Sequence, residues 1–399
     1  MNPIIGIFSF LKLYLIMGAA LSTILMGGCS SSAKIPEIDH TKVKQFATRG
    51  YDSGIEYATS MIRLSLNIAD ECCRVTIVQP SREGKYPLVI YLPGLGESSD
   101  AGAEMRNAWA KSGYVVLSLQ ALKDDENVWS SEAAHNADFA YITHERYSPE
   151  VVSQRLNVLT KALEYLKQHV SSGDLSLQRM DLSHIAVIGF DIGANSAMIV
   201  AGEEAPNIPV PGLPVSVGGV IALSPYADFS GSAFEVRYRN ISMPVLSITS
   251  DADSDTHGSV PPSLHQAPFQ YMPPINKYLL VLTGASHSVI GDEGIAKSDT
   301  TERDSSSQHT KSSSNSEGSG NGRGNHHGKR TSAGGGDSGS PSKQEGGSSP
   351  TQHAMMEIVI EQATTAFLNA HIKNDQMSLA WLKNDAQPWI DKLGQLKEK

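Results

Sequence analysis

Asp191 stands at a position where a charged side chain could do chemistry. It follows the apolar run Ile185–Ile188, and a glycine lies two residues away on each side, Gly189 and Gly193. Such glycines, where a strand gives way to a helix, are typical of a nucleophile elbow, because the turn is too tight for side chains beside the central residue. A carboxylate is ionised at neutral pH and can attack carbon without a general base. The pattern therefore predicts Asp191 as a nucleophile, with capping of the following helix as the alternative.

An acid and a base follow further along the chain, each directly after an apolar run. Asp253 lies in the first of these loops and His287 in the second. A histidine whose ring is held by a carboxylate can act as a general base. Spacing from the preceding run favours Asp253 over Asp251 and Asp255, while Asp228, in an earlier loop, is a second candidate acid. We therefore predict a pair of Asp253 and His287.

These residues need a scaffold of strands and helices. Between residues 60 and 295, short apolar runs alternate with stretches of helical spacing, which is typical of an α/β protein. Most runs are Val, Ile and Leu throughout, as expected for strands buried on both faces. We predict a single doubly wound, mostly parallel sheet with helices on both faces and functional groups at the carboxyl ends of its strands. The predicted strands are Val75–Val78, Leu88–Leu92, Val115–Leu119, Ile185–Gly189, Val220–Leu223, Val245–Thr249 and Tyr278–Leu282.

Composition excludes several classes of protein. The chain has 399 residues, 40% of them hydrophobic, so it can bury a substantial core. Asp and Glu number 42 against 32 Lys and Arg, and this net charge of -10 argues against a nucleic-acid partner. Three cysteines cannot build a disulfide framework. The histidines His309, His326 and His327 are too irregularly spaced to predict a metal site, and no sequence pattern indicates a cofactor.

The amino-terminal segment, residues 1–28, is predicted to be a targeting signal. An apolar run from Leu13 to Met26 ends in Gly27-Gly28-Cys29. These residues resemble the lipobox of bacterial lipoproteins, with Met26 where leucine is usual. The resemblance implies cleavage after residue 28, a lipid on Cys29 and attachment to a membrane of the cell envelope, the outer membrane in an organism that has one. The alternative is a plain membrane anchor.

A second segment lacks the composition of a folded domain. Residues 298–352 are mostly Ser, Gly, His and Asn, and Ala333 is their only apolar residue. Since such a segment cannot offset the entropy of ordering, we predict a disordered insertion, acting either as a binding segment for a protein partner or as an inert linker. Helical apolar spacing then resumes, so residues 353–399 should complete the domain of residues 60–297, with 29–59 as a tether. Trp381 and Trp389 are expected to pack as a C-terminal flap.

The order of elbow, acid and histidine resembles the α/β-hydrolase family, in particular its dienelactone-hydrolase-like and platelet-activating-factor-acetylhydrolase-like members. The resemblance covers about residues 70 to 295 and resumes in the last long helix. It implies the α/β-hydrolase fold, with Asp191 as nucleophile, Asp253 as acid and His287 as base. It also implies an oxyanion hole built from the backbone N–H groups of Leu95 and Ile192. The stretches that carry it are Tyr86-Pro87-Leu88-Val89 before Pro93-Gly94, Asp181-Leu182-Ser183-His184-Ile185 before the elbow, Pro244-Val245-Leu246 before the acid, and Phe367-Leu368 before Ala380-Trp381-Leu382.

The chain departs from the ester-hydrolysing members of that family, which carry serine or cysteine where Asp191 stands. A carboxylate attacking an ester would form a high-energy anhydride, whereas on an alkyl halide or an epoxide it forms an ordinary ester. Haloalkane dehalogenases and epoxide hydrolases of this fold work in this way, with a cap domain after the sixth strand, but residues 224–243 are too short for one. We therefore expect a lipid-anchored hydrolase without a cap domain, acting on a small organic substrate by carbon attack or by base-catalysed ester cleavage. The alternative is an inactive hydrolase that serves as a binding or envelope scaffold.

Overall fold

One nine-stranded sheet organises the part of the chain that the computed structural model describes, which is residues 37–68, 71–209, 211–228, 232–254, 260–292 and 348–399. The strands are β1 (Thr59–Ile68), β2 (Glu71–Pro80), β3 (Tyr86–Leu92), β4 (Val115–Leu119), β5 (Met180–Phe190), β6 (Gly219–Leu223), β7 (Val245–Ser250), β8 (Lys277–Leu282) and β9 (Gly394–Glu398). Their spatial order is β1-β2-β4-β3-β5-β6-β7-β8-β9. Strands β3 to β8 run parallel, and β1, β2 and β9 pair antiparallel.

The prediction of a mixed α/β protein with one mostly parallel sheet is confirmed. All seven predicted strands lie within β2 to β8. The sequence did not predict β1 and β9, which lie at the two edges of the sheet. Side chains of β1 are mostly half-buried or exposed, and β9 is largely polar, so neither strand has the continuous apolar run of a buried strand.

Helices pack on both faces of the sheet, because successive side chains of a strand point to opposite faces. The helices are α1 (His40–Ala47), α2 (Ala103–Lys111), α3 (Lys123–Glu126), α4 (Glu132–His135), α5 (Phe139–Arg146), α6 (Pro149–Ser172), α7 (Ile192–Ala201), α8 (Phe234–Tyr238), α9 (Ala267–Tyr271), α10 (His287–Ile290), α11 (Pro350–His371), α12 (Gln376–Asn384) and α13 (Ala386–Ile390). In β5, Ile185 and Val187 join one core cluster with α6 and α7, whereas Ala186 and Ile188 join a second with α2 and α11.

The strand order reverses at β3, because β4 lies on one side of it and β5 on the other. In an open parallel sheet, such a reversal leaves a crevice beyond the carboxyl ends of the strands. The loop of residues 93–98 follows β3, and Asp191 follows β5, so both lie at this crevice. The sheet thus brings together two segments that are separated by about a quarter of the chain.

A helical cover, residues 123–146, lies between β4 and α6 and contains α3, α4 and α5. Its side chains Val128 and Ile142 form a small buried cluster with Leu95 and Ile192, which follow β3 and β5. The connection after β6, where the sequence analysis sought a cap, contains the five-residue α8 among its described residues. The prediction that this connection is too short for a cap domain thus agrees with its described residues, and a helical cover is supplied by a different connection, residues 123–146.

The C-terminal residues belong to the sheet. Helix α11 begins at Pro350 with a capping box formed by Ser349 and Gln352, so residues 350–352 are helical and not part of the predicted insertion. Trp389 stacks on Phe46 of α1 with ring centroids 4.6 Å apart, and β9 pairs with β8. The expected C-terminal flap is thus a packed part of the domain. Residues 293–347, which include most of the predicted insertion, lie outside the described residues.

The predicted membrane attachment also falls outside the described residues, which begin at residue 37. The signal peptide of residues 1–28 and the lipidation site at Cys29 therefore stay predictions. Within the described ranges, no helix combines the length and the apolar character that crossing a membrane requires.

Candidate active site

The turn between β5 and α7 has a strained backbone at Asp191. Its φ of 52° and ψ of -114° are rare for a residue other than glycine. A Cβ atom on Gly189 would lie 2.1 Å from the Gly193 carbonyl oxygen, and one on Gly193 would lie 2.0 Å from the Leu92 carbonyl oxygen. Both positions require glycine, for the steric reason that the sequence indicated. Ile192, the predicted second oxyanion donor, begins α7, where helix N–H groups have no intrahelical acceptor.

The Asp191 carboxylate has a different hydrogen-bond donor on each oxygen. Oδ2 accepts from the backbone N–H of Leu95 at 3.1 Å, and Oδ1 accepts from the hydroxyl of Tyr147 at 2.9 Å. Asp191 is buried, with 6% of the residue exposed. Although it is the N-cap residue of α7, its side chain makes no capping hydrogen bond. The carboxylate is therefore held by groups outside the helix, unlike in the alternative role considered from the sequence.

The loop after β3 presents the Leu95 amide because neighbouring amides are bonded within the loop and to the cover. The Gly94 N–H donates to the Glu97 carboxylate at 2.7 Å, and the Gly96 N–H donates to the Asp125 carbonyl at 2.8 Å. The predicted oxyanion donor Leu95 thus lies on the carboxylate of the predicted nucleophile itself.

Tyr147, which the sequence analysis did not single out, reaches Asp191 from the end of the helical cover. Its ring stacks on Tyr226 with centroids 4.0 Å apart. Desolvation raises the pKa of Tyr147 well above its usual value, and the charge of Asp191 raises it further. The hydroxyl therefore keeps its proton and acts as a donor. Local spacing could not have identified Tyr147, since it lies 44 positions from Asp191 in the chain.

The structure brings His287 and Asp253 together. Nδ1 of His287 lies 2.8 Å from Oδ1 of Asp253, so Nδ1 carries a proton and Nε2 is the nitrogen that can accept one. Asp253 is fully buried. Desolvation would raise the pKa of Asp253, but the hydrogen bond from His287 and the charges of His265 and His287 outweigh it, so the pKa lies below its usual value. An ionised acid thus stands beside the candidate base.

Two hydroxyl groups hold the other oxygen of Asp253. Ser224 donates to Oδ2 at 2.8 Å and Thr249 donates to it at 2.7 Å. Ser224 has a φ of 52° and lies 3.1 Å from Nδ1 of His287. Because its single proton goes to Asp253, the Ser224 oxygen acts as an acceptor toward His287. Neither hydroxyl was predicted from the sequence, although Thr249 belongs to a predicted strand and Ser224 follows one.

The competing carboxylates have other partners. Asp228 forms an ion pair with Arg237 at 3.1 Å. Asp251 accepts a hydrogen bond at 2.6 Å from a backbone N–H in the loop after β8. Asp255 lies outside the described residues. Asp253 is therefore the carboxylate that holds Nδ1 of the candidate base.

The acid–base pair lies beside the elbow. The ring of Phe190, which precedes Asp191, contacts the imidazole of His287 with centroids 4.6 Å apart. The Asp191 N–H donates to the Leu223 carbonyl at 3.0 Å, so the elbow also adjoins the residue before Ser224. The predicted nucleophile, acid and base thus follow β5, β7 and β8, at the carboxyl ends of these strands.

Neither a metal site among the described residues nor a matching family model or curated protein accounts for this arrangement. Within the described ranges, no group of three or more His, Cys, Asp or Glu side chains is placed to hold a metal ion. The irregular histidines of the predicted insertion lie outside those ranges. The chain matches no protein-family model and no curated protein. Its chemistry is therefore inferred from the geometry of the site.

Proposed function

We propose that this chain is an α/β-hydrolase-fold enzyme in which Asp191 attacks a saturated carbon of a small organic substrate and His287 then activates water to release the product. The observation that carries this proposal is the hydrogen bond from the Leu95 N–H to Oδ2 of Asp191 at 3.1 Å. The strand order, with nucleophile, acid and histidine after β5, β7 and β8, supports the fold assignment.

The Leu95 amide favours attack on carbon over cleavage of an ester. In ester hydrolysis, such an amide stabilises the oxyanion that forms on the carbonyl oxygen of the substrate. Here Oδ2 of Asp191 occupies that donor. If Oδ1 is alkylated, Oδ2 becomes the carbonyl oxygen of an enzyme ester. The oxyanion formed when water attacks that ester then lies on the Leu95 amide, with no rearrangement of the loop.

Tyr147 favours a substrate whose leaving atom is oxygen. Its hydroxyl bonds Oδ1 of Asp191 at 2.9 Å, the oxygen left for attack. The negative charge of Asp191 is one cause of the raised pKa of Tyr147. Forming the new C–O bond removes that charge, so the phenol becomes a stronger acid. The phenol can then pass its proton to the epoxide oxygen, which takes the electron pair of the broken bond. Since a halide leaves without a proton, epoxides are the first substrate class proposed and haloalkanes the second.

His287 and Asp253 supply the hydrolytic half of the reaction. Nε2 of His287 takes a proton from water, and the resulting hydroxide attacks Cγ of Asp191. The acyl C–O bond of the enzyme ester breaks, the leaving alkoxide takes the proton of the new carboxyl group and departs as an alcohol, and one oxygen of the water remains in the carboxylate. The proton held on Nε2 of His287 then returns through solvent to the Tyr147 phenolate, or, for a haloalkane, passes to solvent. Ionised Asp253 stabilises the imidazolium that forms during this step.

The decisive experiment follows that oxygen atom. The full chain would be screened on epoxides, haloalkanes and activated esters, and then given a single turnover in oxygen-18 water. We expect the peptide that contains Asp191 to acquire the label, and Asp191→Asn to show neither label nor turnover. His287→Gln should accumulate a covalent adduct on Asp191. Turnover that persists in Asp191→Asn, or that leaves the peptide unlabelled, would contradict the proposal.

An inactive scaffold is the second candidate, and the burial of Asp191 favours it. Only 6% of the residue is exposed, and both carboxylate oxygens are already bonded. In that case the full chain turns over none of the three substrate classes. Asp191→Ser would then gain ester cleavage, because the Leu95 amide becomes available to a substrate oxygen. This pair of outcomes would replace the enzyme proposal with the scaffold.

We also propose that the mature chain is anchored to an envelope membrane through a lipid on Cys29. The small residues before Cys29 support this, in a segment outside the described residues. Expression in a bacterial host with labelled fatty acid should label the full chain but not Cys29→Ser. Cys73→Ser is the matched control, since Cys73 is a buried cysteine of β2. Label retained by Cys29→Ser would rule out the anchor.

A further inference from the structure

His265 is a buried histidine next to the acid–base pair. It lies in a 3₁₀ turn, Leu264–Gln266, between β7 and β8, and 2% of the residue is exposed. Its Nδ1 lies 2.8 Å from the carbonyl oxygen of Pro225. Because a carbonyl oxygen only accepts hydrogen bonds, Nδ1 carries a proton. In the neutral ring, the lone pair is therefore on Nε2.

The Nε2 atom of His265 faces Asp253. It lies 3.9 Å from Oδ2 and has no hydrogen-bond partner among the described residues. A lone pair opposite an ionised carboxylate is an unfavourable contact. A proton on Nε2 turns that contact into an attraction between opposite charges. The two protonation states of His265 therefore interact with Asp253 in opposite ways.

We propose that His265 is a positioning residue that acts through Asp253 on the basicity of His287. Asp253 then serves two imidazoles, with His287 on Oδ1 at 2.8 Å and His265 near Oδ2 at 3.9 Å. The catalytic meaning of this arrangement rests on the proposed function, whereas the coupling between the three side chains does not.

The charged groups around His265 can be named for the described residues, which leave out residues 255–259 of the same connection. Helix α9 and strand β7 pack against its turn, and its carbonyl partner Pro225 belongs to the loop after β6. Asp228 in that loop is paired with Arg237. Among the described residues, the titratable and charged groups on these segments and around the acid are Tyr271 of α9, Tyr226, Asp228 and Arg237 after β6, Asp251 and Asp253 after β7, and His287 of α10.

A proton on His265 should weaken His287 as a proton acceptor. A positive charge on His265 repels a positive charge on His287, and this repulsion offsets part of the attraction between the His287 imidazolium and the Asp253 carboxylate. His287 consequently stays neutral, and able to act as a base, to a lower pH than it would beside Asp253 alone.

Histidine titration by nuclear magnetic resonance tests this coupling without a substrate. In the nitrogen-15-labelled full chain, His265 should show the Nδ1–H tautomer. His265→Asn retains a donor for the Pro225 carbonyl and removes Nε2. We expect it to raise the titration midpoint of His287 by roughly half a pH unit, about a threefold gain in proton affinity. An unchanged midpoint would overturn the proposal.

His169→Asn is the matched control, because Nδ1 of His169 also lies 2.8 Å from a carbonyl oxygen, that of Tyr165, on α6. It should leave the midpoint of His287 unchanged. Coupling is reciprocal, so His287→Gln must raise the midpoint of His265 by the same amount, which keeps the test valid if His265→Asn does not fold. Failure of the proposed function appears separately, as absent turnover with the titration shifts intact.

Discussion

The two oxygens of Asp191 meet donors of different kinds, a phenol on Oδ1 and a backbone amide on Oδ2. A side-chain substitution can remove the phenol, whereas the amide belongs to the backbone and only proline at position 95 would delete its N–H. Tyr147→Phe deletes one hydroxyl and keeps the ring that stacks on Tyr226. At the scale of a residue, this variant therefore separates proton donation from packing.

We expect Tyr147→Phe to lower kcat/KM on epoxides by about 10²–10⁴-fold, the range for loss of a general acid. Haloalkane turnover should fall much less, because a halide needs no proton. Steady-state kinetics on both classes is the measurement. Tyr226→Phe is the control, since its hydroxyl donates to Asp228. Equal losses on both substrate classes would argue against the proton-donor role.

Gly193→Ala should disrupt the elbow, because the added Cβ would lie 2.0 Å from the Leu92 carbonyl oxygen. A clash with backbone cannot be relieved by a side-chain rotation, so we expect a loss of stability of several kcal/mol, roughly 4 or more. Gly212→Ala should stay within about 0.5 kcal/mol, as open space surrounds its Cβ position. Urea unfolding compares them. A stable Gly193→Ala would show that the turn is looser than its geometry indicates.

At the scale of elements, Arg155 of α6 binds two parts of the helical cover, residues 123–146. Its Nε lies 2.5 Å from Oδ2 of the buried Asp125, and its Nη2 donates to the Arg146 carbonyl at 2.5 Å. The Asp125 carbonyl in turn accepts from the Gly96 N–H, and Arg146 precedes Tyr147. One side chain thus supports the segments that carry both donors to Asp191.

Arg155→Met should lower the free energy of unfolding by about 3–5 kcal/mol, because it leaves Asp125 charged and buried without its main partner. Arg155→Met combined with Asp125→Leu should recover part of this loss, since the buried carboxylate is then absent and Arg146, which also contacts Asp125, keeps its pair with Glu145. Lys161→Met on the same helix removes a half-exposed pair with Glu164 and should cost less than about 1 kcal/mol. Chemical denaturation of the four chains gives the comparison. Equal losses for Arg155→Met and Lys161→Met would exclude this role.

At the scale of the whole molecule, α11 brings two glutamates back to α2 and α10. Glu357 and Glu361 line a cavity of about 230 Å³ together with Glu104 and Asp292. Desolvation, with repulsion from the neighbouring carboxylates, raises the pKa of Glu357 and of Glu361 to about 7. These groups bind protons more tightly in the folded state. The free energy of unfolding therefore falls as the pH rises from the unfolded pKa of 4.5 to about 7.

Glu357→Gln and Glu361→Gln should flatten that pH dependence. Glutamine mimics the protonated acid, so each variant should match the parent chain below pH 4.5 and exceed its stability above pH 7. Urea unfolding across this range is the measurement. Asp375→Asn should show the opposite sign, because a hydrogen bond from Ser378 holds the pKa of Asp375 below its usual value. Glutamine variants that are less stable at high pH would refute the assignment.

The sequence by itself determined the sheet core, the elbow and the order of the site loops. Continuous apolar runs reflect burial on both faces of a strand, and the glycines at 189 and 193 reflect a backbone contact within one turn. Both signals are local, so spacing reveals them. The edge strands β1 and β9 and the helical cover escaped prediction because their partly exposed residues lack such a pattern.

Only the tertiary structure decided what each site residue touches. Asp191 meets Leu95 across 96 positions of the chain, and Ser224 meets Asp253 across 29. Asp253, and not Asp228, accepts the hydrogen bond from Nδ1 of His287, because the loop after β7 places Asp253 beside the histidine while Asp228 in the loop after β6 pairs with Arg237. Contacts of this kind depend on how the strands are ordered and how the cover packs on them. The spacing of residues along one segment therefore does not predict these contacts.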